Sequence, residues 1–397
     1  MSNREVGVFD FKTVPVIRFA SDVALDLGKH LIELTVKKPI FITDDGIVQL
    51  GLLKPTLVAV SKRHFEAVVY SEVVADPPES NVHNALELAL SNGCDGVVGF
   101  GGGSSMDVAK LVAALLSQEQ SLTQLYGVDQ VTSKRAPLIQ VPTTAGTGSE
   151  ATGVAIVTTG ESTKAGVVSE RLLADVVLLD PLLTVGLPPH ITAATGVDAM
   201  VHAVEAYTSK RLKNPMSDML AIKALTLMSS SICQAVSDGR NLDARSNMLL
   251  GATMAGQAFA NAPVGAVHAL AYPLGGKYHI PHGLSNSLVL PHVLRFNGAG
   301  NEALANTLYS ELLLAIDLNG QYKSLNTGGG KASEVLANYF MTLAADLGLP
   351  TQLRQLPIAL DDLPSLAKDA MQQQRLLINN PREVSYDDAL NIYRNAF

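Results

Sequence analysis

GVVGFGGGSSMDVAKLVAALL, residues Gly96 to Leu116, decides how the N-terminal half is read. Gly96–Phe100 is a short apolar run suited to a buried strand, Asp107–Leu116 reads as a helix, and glycines and serines join the two. A strand passing through a glycine turn into a helix is the repeating unit of an α/β domain with a parallel sheet. Glycines also let a backbone approach a pyrophosphate, whose charge a helix N-terminus stabilises. The dinucleotide fingerprint is matched imperfectly: counting from Gly99, the final Gly/Ala position holds Ser104. Taken alone, the stretch reads equally well as a tight turn.

The same alternation extends outward. Ala24, Leu27, Leu31 and Leu34 recur at helical spacing before the apolar run Pro39–Thr43, a second strand that ends in Asp44-Asp45-Gly46. Val68–Val74 is a further β-branched run, Asn84–Ser91 a helix and Leu138–Val141 a strand. Asp44, at the end of its strand, is placed to hold the ribose hydroxyls of adenosine. A carboxylate there repels the 2′-phosphate of NADP, which favours NAD. The competing reading is a plain Asp-Asp-Gly turn. PTTAGTGSE, residues Pro142 to Glu150, offers hydroxyls and glycines that can cup a nicotinamide ribose and phosphates, or can simply form hydroxyl-bonded turns.

Beyond Pro188-Pro189 the character changes. Met216–Val236, Asp243–Ala260, Asn301–Asp317 and Ser333–Leu347 read as helices, with few β-branched runs between them. The boundary falls in LDPLLTVGLPP, Leu179–Pro189, giving an α/β domain over 1–187 and an all-helical one over 188–397. SLNTGGGK (324–331) reads as a surface insertion. It is not a phosphate-binding P-loop, since Leu325 stands where the first glycine belongs.

With 397 residues the chain exceeds the size of a usual single core, and 47% hydrophobic against 17% charged residues mark a globular protein. A net charge of -8 argues against nucleic-acid binding. Cys94 and Cys233 are far apart and form no CxxC pattern, which fits a reducing, cytoplasmic setting. The N-terminal stretch lacks an apolar signal core, and no apolar run approaches a membrane span, so no membrane partner is expected.

The second half carries its own chemistry. In TGVDAMVHAVEAY (195–207), Asp198 and His202 are four residues apart and project from one helix face, with Glu205 one turn further as an acceptor for a ligand imidazole. In GAVHALAYPLGGKYHIPHG (265–283), His268 and His282 flank what reads as a Pro/Gly-rich turn. One carboxylate and three imidazoles are the ligand types of a divalent-metal site, whereas DxxxH alone reads better as a polar stripe on a helix. His279 and His292 compete for membership, and spacing does not choose among them. His30, His64, His83 and His190 read as structural.

GGGSSMD, PTTAGTGSE, DPLLTVGLPP, ATGVDAMVHAVEAYTS and HALAYPLGG…PHGLSN…LPHVLRFN, in this order, closely resemble the iron-containing (group III) alcohol dehydrogenases. The resemblance spans nearly the whole chain. It implies a Rossmann-like α/β nucleotide-binding domain followed by an all-α metal-binding domain, the dehydroquinate synthase-like fold, with a cleft between them. It implies metal ligation by Asp198, His202, His268 and His282, preferring His282 to His279. It implies cofactor contacts at Asp44, Gly101, Gly102, Gly103, Ser104, Thr143, Thr144, Thr147 and Lys164. It also implies a reversible hydride transfer between a small alcohol and NAD, with iron favoured over zinc, in a homodimer or larger homo-oligomer.

One position departs from the pattern. The diol oxidoreductases of the family carry a second histidine four residues after the ligand matching His268, and here Tyr272 stands in its place. Tyr272 is therefore the candidate for closing the proton path, beside His268 as a catalytic position. Tyrosine there resembles the hydroxyacid–oxoacid transhydrogenases, which makes that activity the first alternative. A maleylacetate reductase-like enzyme, a lyase related to dehydroquinate synthase and a non-catalytic metal binder rank below it. The sparse Lys/Arg near the metal motifs argues against the lyase's phosphate pocket. Phe259, Asn261 and Val264, just before His268, are candidate pocket residues for a modest, largely apolar alcohol or aldehyde.

Overall fold

The computed structural model describes residues 8–117, 119–160, 163–300, 302–316 and 331–397. Most of SLNTGGGK and the two end positions of the Asn301–Asp317 reading lie outside the described residues. The chain divides into two compact units, Lys12–Gly186 and Leu187–Phe397, the second also taking in 8–11.

In the first unit the strands are β1 (Val16–Phe19), β2 (Pro39–Ile42), β3 (Val68–Tyr70), β4 (Gly96–Gly101), β5 (Gly127–Val128), β6 (Leu138–Pro142), β7 (Val154–Thr159), β8 (Thr163–Val168) and β9 (Val176–Leu179). Its helices are α1 (Leu27–Glu33), α2 (Asp45–Gln49), α3 (Lys54–Ser61), α4 (Glu79–Ser91), α5 (Gly103–Leu116) and α6 (Leu122–Leu125). Six strands pair in the order β1-β9-β6-β4-β2-β3, every neighbour parallel. A small second sheet, β5-β8-β7, holds the antiparallel β7/β8 pair.

The central strands β2, β4, β6 and β9 are buried along their whole length, as strands covered on both faces must be. This explains why they read as continuous apolar runs rather than alternating ones. Phe41, Val98, Ile139 and Leu178 pack with Leu27, Leu31 and Val60 in one core cluster. The order places the C-terminal ends of β2, β4 and β6 side by side, so the segments after them, carrying Asp44, the glycine turn and PTTAGTGSE, leave from neighbouring strand ends.

The second unit is helical: α7 (Pro189–Thr208), α8 (Pro215–Ser229), α9 (Ile232–Ser237), α10 (Leu242–Asn261), α11 (Ala266–Tyr278), α12 (His282–Gly298), α13 (Glu302–Ile316), α14 (Ala332–Asp346), α15 (Leu363–Ala370), α16 (Gln374–Leu377) and α17 (Tyr386–Ala396). No helix among the described residues is long and apolar enough to cross a membrane. The Met216–Val236 reading is corrected to two helices. The chain breaks at Ser230-Ser231, where Ser231 leaves helical geometry and the α8 carbonyls of Leu227 and Met228 are taken by the Ser230 hydroxyl and the Ser231 N–H.

A second correction concerns the Pro/Gly-rich turn. AYPLGG is helical, part of α11, with Pro273 inside it. Proline there removes one backbone bond, yet Leu270 and Leu274, one turn apart, are both wholly buried, and their packing outweighs local propensity. The turn comes later, where His279 adopts a left-handed φ of 54° and closes the helix.

Candidate active site: a metal cluster and a dinucleotide cradle

Helix α7 is buried along nearly all its length, and its Asp198 and His202 face one direction by their four-residue spacing. Helix α12 opens with His282 and packs on α7 with unusual closeness. A Cβ at Gly283 would stand 2.2 Å from the carbonyl oxygen of Ala194 and 3.1 Å from the Asp198 Cβ. Only glycine permits that approach. Helix α11 supplies His268. The donor atoms of Asp198, His202, His268 and His282 all lie within 4.8 Å of one another.

Three of the four are buried and the side chain of His282 is 39% exposed, so the cluster opens on the His282 side. The imidazoles of His202 and His268 stack at 4.8 Å between ring centres, with Phe259 on the other face of His202 at 4.5 Å. The Tyr272 ring lies 5.9 Å from that of His282. Burial would raise the Asp198 pKa, but His202, His282, His268 and the Asn286 amide outweigh it and hold the carboxyl below its ordinary range. Glu205 accepts from the Val267 N–H at 2.8 Å and meets His268 Nδ1 at 2.5 Å, which leaves Nε2 directed to the cluster. A carboxylate and three imidazole nitrogens, convergent and buried, match the donor chemistry of iron or zinc.

The competing histidines are elsewhere. His279 is the exposed residue that closes α11. His292 sits half-buried along α12, where burial and the neighbouring Arg295 push its pKa down to about 4. Of the pocket candidates, Phe259 reaches the cluster. Asn261 instead turns its amide onto the Gln257 carbonyl, and Val264 is buried.

In the first unit the strand β4 runs into α5 through Gly101 and Gly102, with Gly102 extended at the helix N-cap and making no side-chain cap. Gly101 has φ +156°, and a Cβ there would meet Ser105 Oγ at 2.8 Å. A Cβ at Gly103 would meet Thr147 at 2.8 Å, and one at Gly102 would touch Thr144. Thus Gly102 lies against Thr144 and Gly103 against Thr147 of PTTAGTGSE, while Gly101 faces Ser105 and Asp44 and Ser104 follows within α5. Thr143 is buried, its N–H bonded to Gly101 O. Asp44 caps a helix and stands beside the glycine turn. Its Oδ1 caps α2 through the Ile47 N–H at 3.0 Å, while its Oδ2 lies 3.4 Å from where a Gly101 Cβ would be. Lys164, on β8, is engaged by Asp76 and by the Thr158 hydroxyl at 3.1 Å.

A charged pair that sequence reading passed over braces this cradle. Lys110 of α5 is fully buried, its Nζ donating to Ser149 Oγ at 2.7 Å, Thr152 Oγ1 at 3.2 Å and Val154 O at 2.6 Å. Asp107 accepts from the Ser149 hydroxyl at 2.5 Å and from the Ile156 N–H at 2.9 Å. Burial drives the Lys110 pKa down against the pull of Asp107 and Glu150, and drives Asp107 up against Lys110 and Ser149. The signal was available: Asp107 and Lys110 are the only charges in an otherwise apolar helix stretch.

Residues 15–181 match the family described as iron-containing alcohol dehydrogenase, and residues 192–397 match the C-terminal domain of the same family. The chain belongs to the iron-containing alcohol dehydrogenase family. It is an oxidoreductase of that family, similar to long-chain-alcohol dehydrogenase 1 of Geobacillus thermodenitrificans (strain NG80-2), with 40% identity covering 94% of this chain and 93% of that one. Its fold is similar to that of a crystal structure of 1,3-propanediol oxidoreductase, with TM-score 0.92 and 34% identity over 98% of this chain and 100% of that one. It is also similar to a sulfoacetaldehyde reductase from Bifidobacterium kashiwanohense solved in complex with NAD+, with TM-score 0.85 and 27% identity over 98% and 99% of the two chains. These relatives are named for an alcohol, a diol and a sulfonated aldehyde, which favours the dehydrogenase over the transhydrogenase, maleylacetate reductase and lyase alternatives.

Proposed function

We propose that this dehydrogenase interconverts a small alcohol and its aldehyde with NAD, using a divalent metal, Fe²⁺ before Zn²⁺, held by Asp198, His202, His268 and His282. The single observation that carries the reading is the convergence of those four donors within 4.8 Å, three of them buried. When bound, such a metal supplies Lewis acidity to the substrate oxygen, and NAD accepts or returns the hydride.

The chain's own residues do the rest. Gly101, Gly102, Gly103 and Ser104 present backbone N–H groups at the start of α5 to the pyrophosphate, and Thr144 and Thr147 border them. Thr143 contributes its backbone and Lys164 a charge on the β7/β8 hairpin. Asp44 holds the adenosine ribose with its Oδ2. Phe259 walls the metal on the side of His202 and gives the substrate an apolar neighbour. Tyr272, beside the open His282 edge, is assigned the proton path. Tyr272→Phe is expected to lower kcat while leaving metal content intact, and an unchanged kcat removes that role.

The decisive experiment restores Fe²⁺ or Zn²⁺ anaerobically and follows NAD reduction over alcohols, diols and hydroxy acids. No NADH formation with any of them overturns the reading. Turnover of a hydroxy acid with an oxo acid without added NAD would instead favour the transhydrogenase. The free, widely separated Cys94 and Cys233 support a cytoplasmic setting, and a homodimer or larger assembly is expected in sedimentation of the intact chain.

A further inference from the structure

We propose that Asn286 is a positioning residue of the metal centre, its amide nitrogen orienting the Asp198 carboxylate for metal binding; this rests on the metal assignment above. Asn286 lies on α12 four residues after His282, so the two share a helix face, as Asp198 and His202 do on α7. Its side chain is wholly buried. Nδ2 donates to Asp198 Oδ1 at 2.6 Å and lies 3.2 Å from both His268 Nε2 and His282 Nε2. Three acceptors therefore surround a nitrogen that carries two hydrogens, and all three belong to residues assigned to the cation.

The other end of the amide points the same way. Among the described residues Asn286 Oδ1 is buried with no hydrogen-bond partner, a costly arrangement that a leucine of similar shape would avoid. The interactions of this amide run through its N–H groups. Lone-pair counting then identifies its lasting partner. An imidazole nitrogen has one lone pair to give, whereas a carboxylate oxygen has enough to bind a cation and accept an N–H together. Asn286 thus fixes the rotation of Asp198, while His268 is fixed separately by Glu205.

The test uses the full chain and Co²⁺, whose visible absorption reports ligand geometry. In chelator competition, Asn286→Leu and Asn286→Ala should bind Co²⁺ about 10–100-fold more weakly than the parent. The residual Co²⁺ band should shift, while NADH affinity, read by fluorescence in the other unit, stays within about twofold of the parent. Parent-like Co²⁺ affinity and spectrum in either variant overturns the proposal. Loss of NADH binding in both variants overturns it as well, because Asn286 is then a packing residue. A parent that takes up no Co²⁺ brings down the metal assignment itself, an outcome distinct from the other two.

Discussion

The carboxylate of Glu205 stands 2.5 Å from Nδ1 of His268, and its second oxygen is bound by the backbone N–H just before that histidine. Both oxygens are committed, so the ring is fixed in tautomer and in tilt. Glu205→Ala leaves a buried N–H and a ring nitrogen partnerless, and metal affinity should fall about 10–100-fold. Glu205→Gln, which keeps one acceptor, should fall between parent and alanine. Equal metal retention against a chelator in all three proteins would count against the orienting role.

Gly283 predicts a different kind of failure. A methyl group there collides with backbone rather than with a flexible side chain, so α12 must move away from α7. Gly283→Ala should cost about 1–3 kcal/mol by overpacking, and it should also weaken metal binding because His282 moves with the helix. Gly186→Ala, where a Cβ meets nothing within 4 Å, is the control. Thermal melts and metal titration of both variants decide it; a Gly283→Ala protein matching its control in both would refute the close-approach argument.

The observed cap and the proposed ribose contact of Asp44 can be separated. Asp44→Ser keeps a capping oxygen for α2 and removes the charge. The ratio of kcat/KM for NADP to that for NAD should therefore rise by about tenfold or more, on the order of one charge contact, with little change in Tm. Asp44→Gly should gain NADP use too. An unchanged ratio in both variants means that Asp44 is a cap and nothing more.

His292 gives a pH dependence with a definite sign. Its folded pKa, about 4, lies below the unfolded 6.5, so the unfolded chain binds the extra proton first. The associated stability is present above pH 6.5 and is lost as pH falls toward 4, by up to about 3 kcal/mol. His292→Gln should flatten the parent's loss of stability over that window in denaturant titrations. Identical slopes for the two proteins would rule out this contribution.

The sequence was most informative where period and burial agree. Wholly buried strands β2, β4 and β6 announce themselves as apolar runs, while β9 is not among the strands read from the sequence, and Asp198 with His202 declares a shared face through spacing alone. His268 and His282 did not, because the distance between them depends on AYPLGG being helical, and proline and glycine argue locally for a turn. Only the tertiary burial of Leu270 and Leu274 settles that question. Asn286 obeys the same four-residue arithmetic as His202, but an amide is not a usual ligand type, so spacing alone does not single it out. Lys110 escaped for the opposite reason, since a cation in an apolar helix reads as a surface residue until its three oxygen partners are seen.

That lysine has a mechanical consequence. Its stem belongs to α5, whose first turn carries the glycine segment, while its ammonium is clasped by Ser149, Thr152 and Val154 beyond β6. The two segments proposed to border a dinucleotide's phosphates share one internal rivet, out of reach of solvent. A phosphate drawing on either would load both, so on this assignment a dinucleotide would meet a single jaw, and remodelling one side of it must carry the other along.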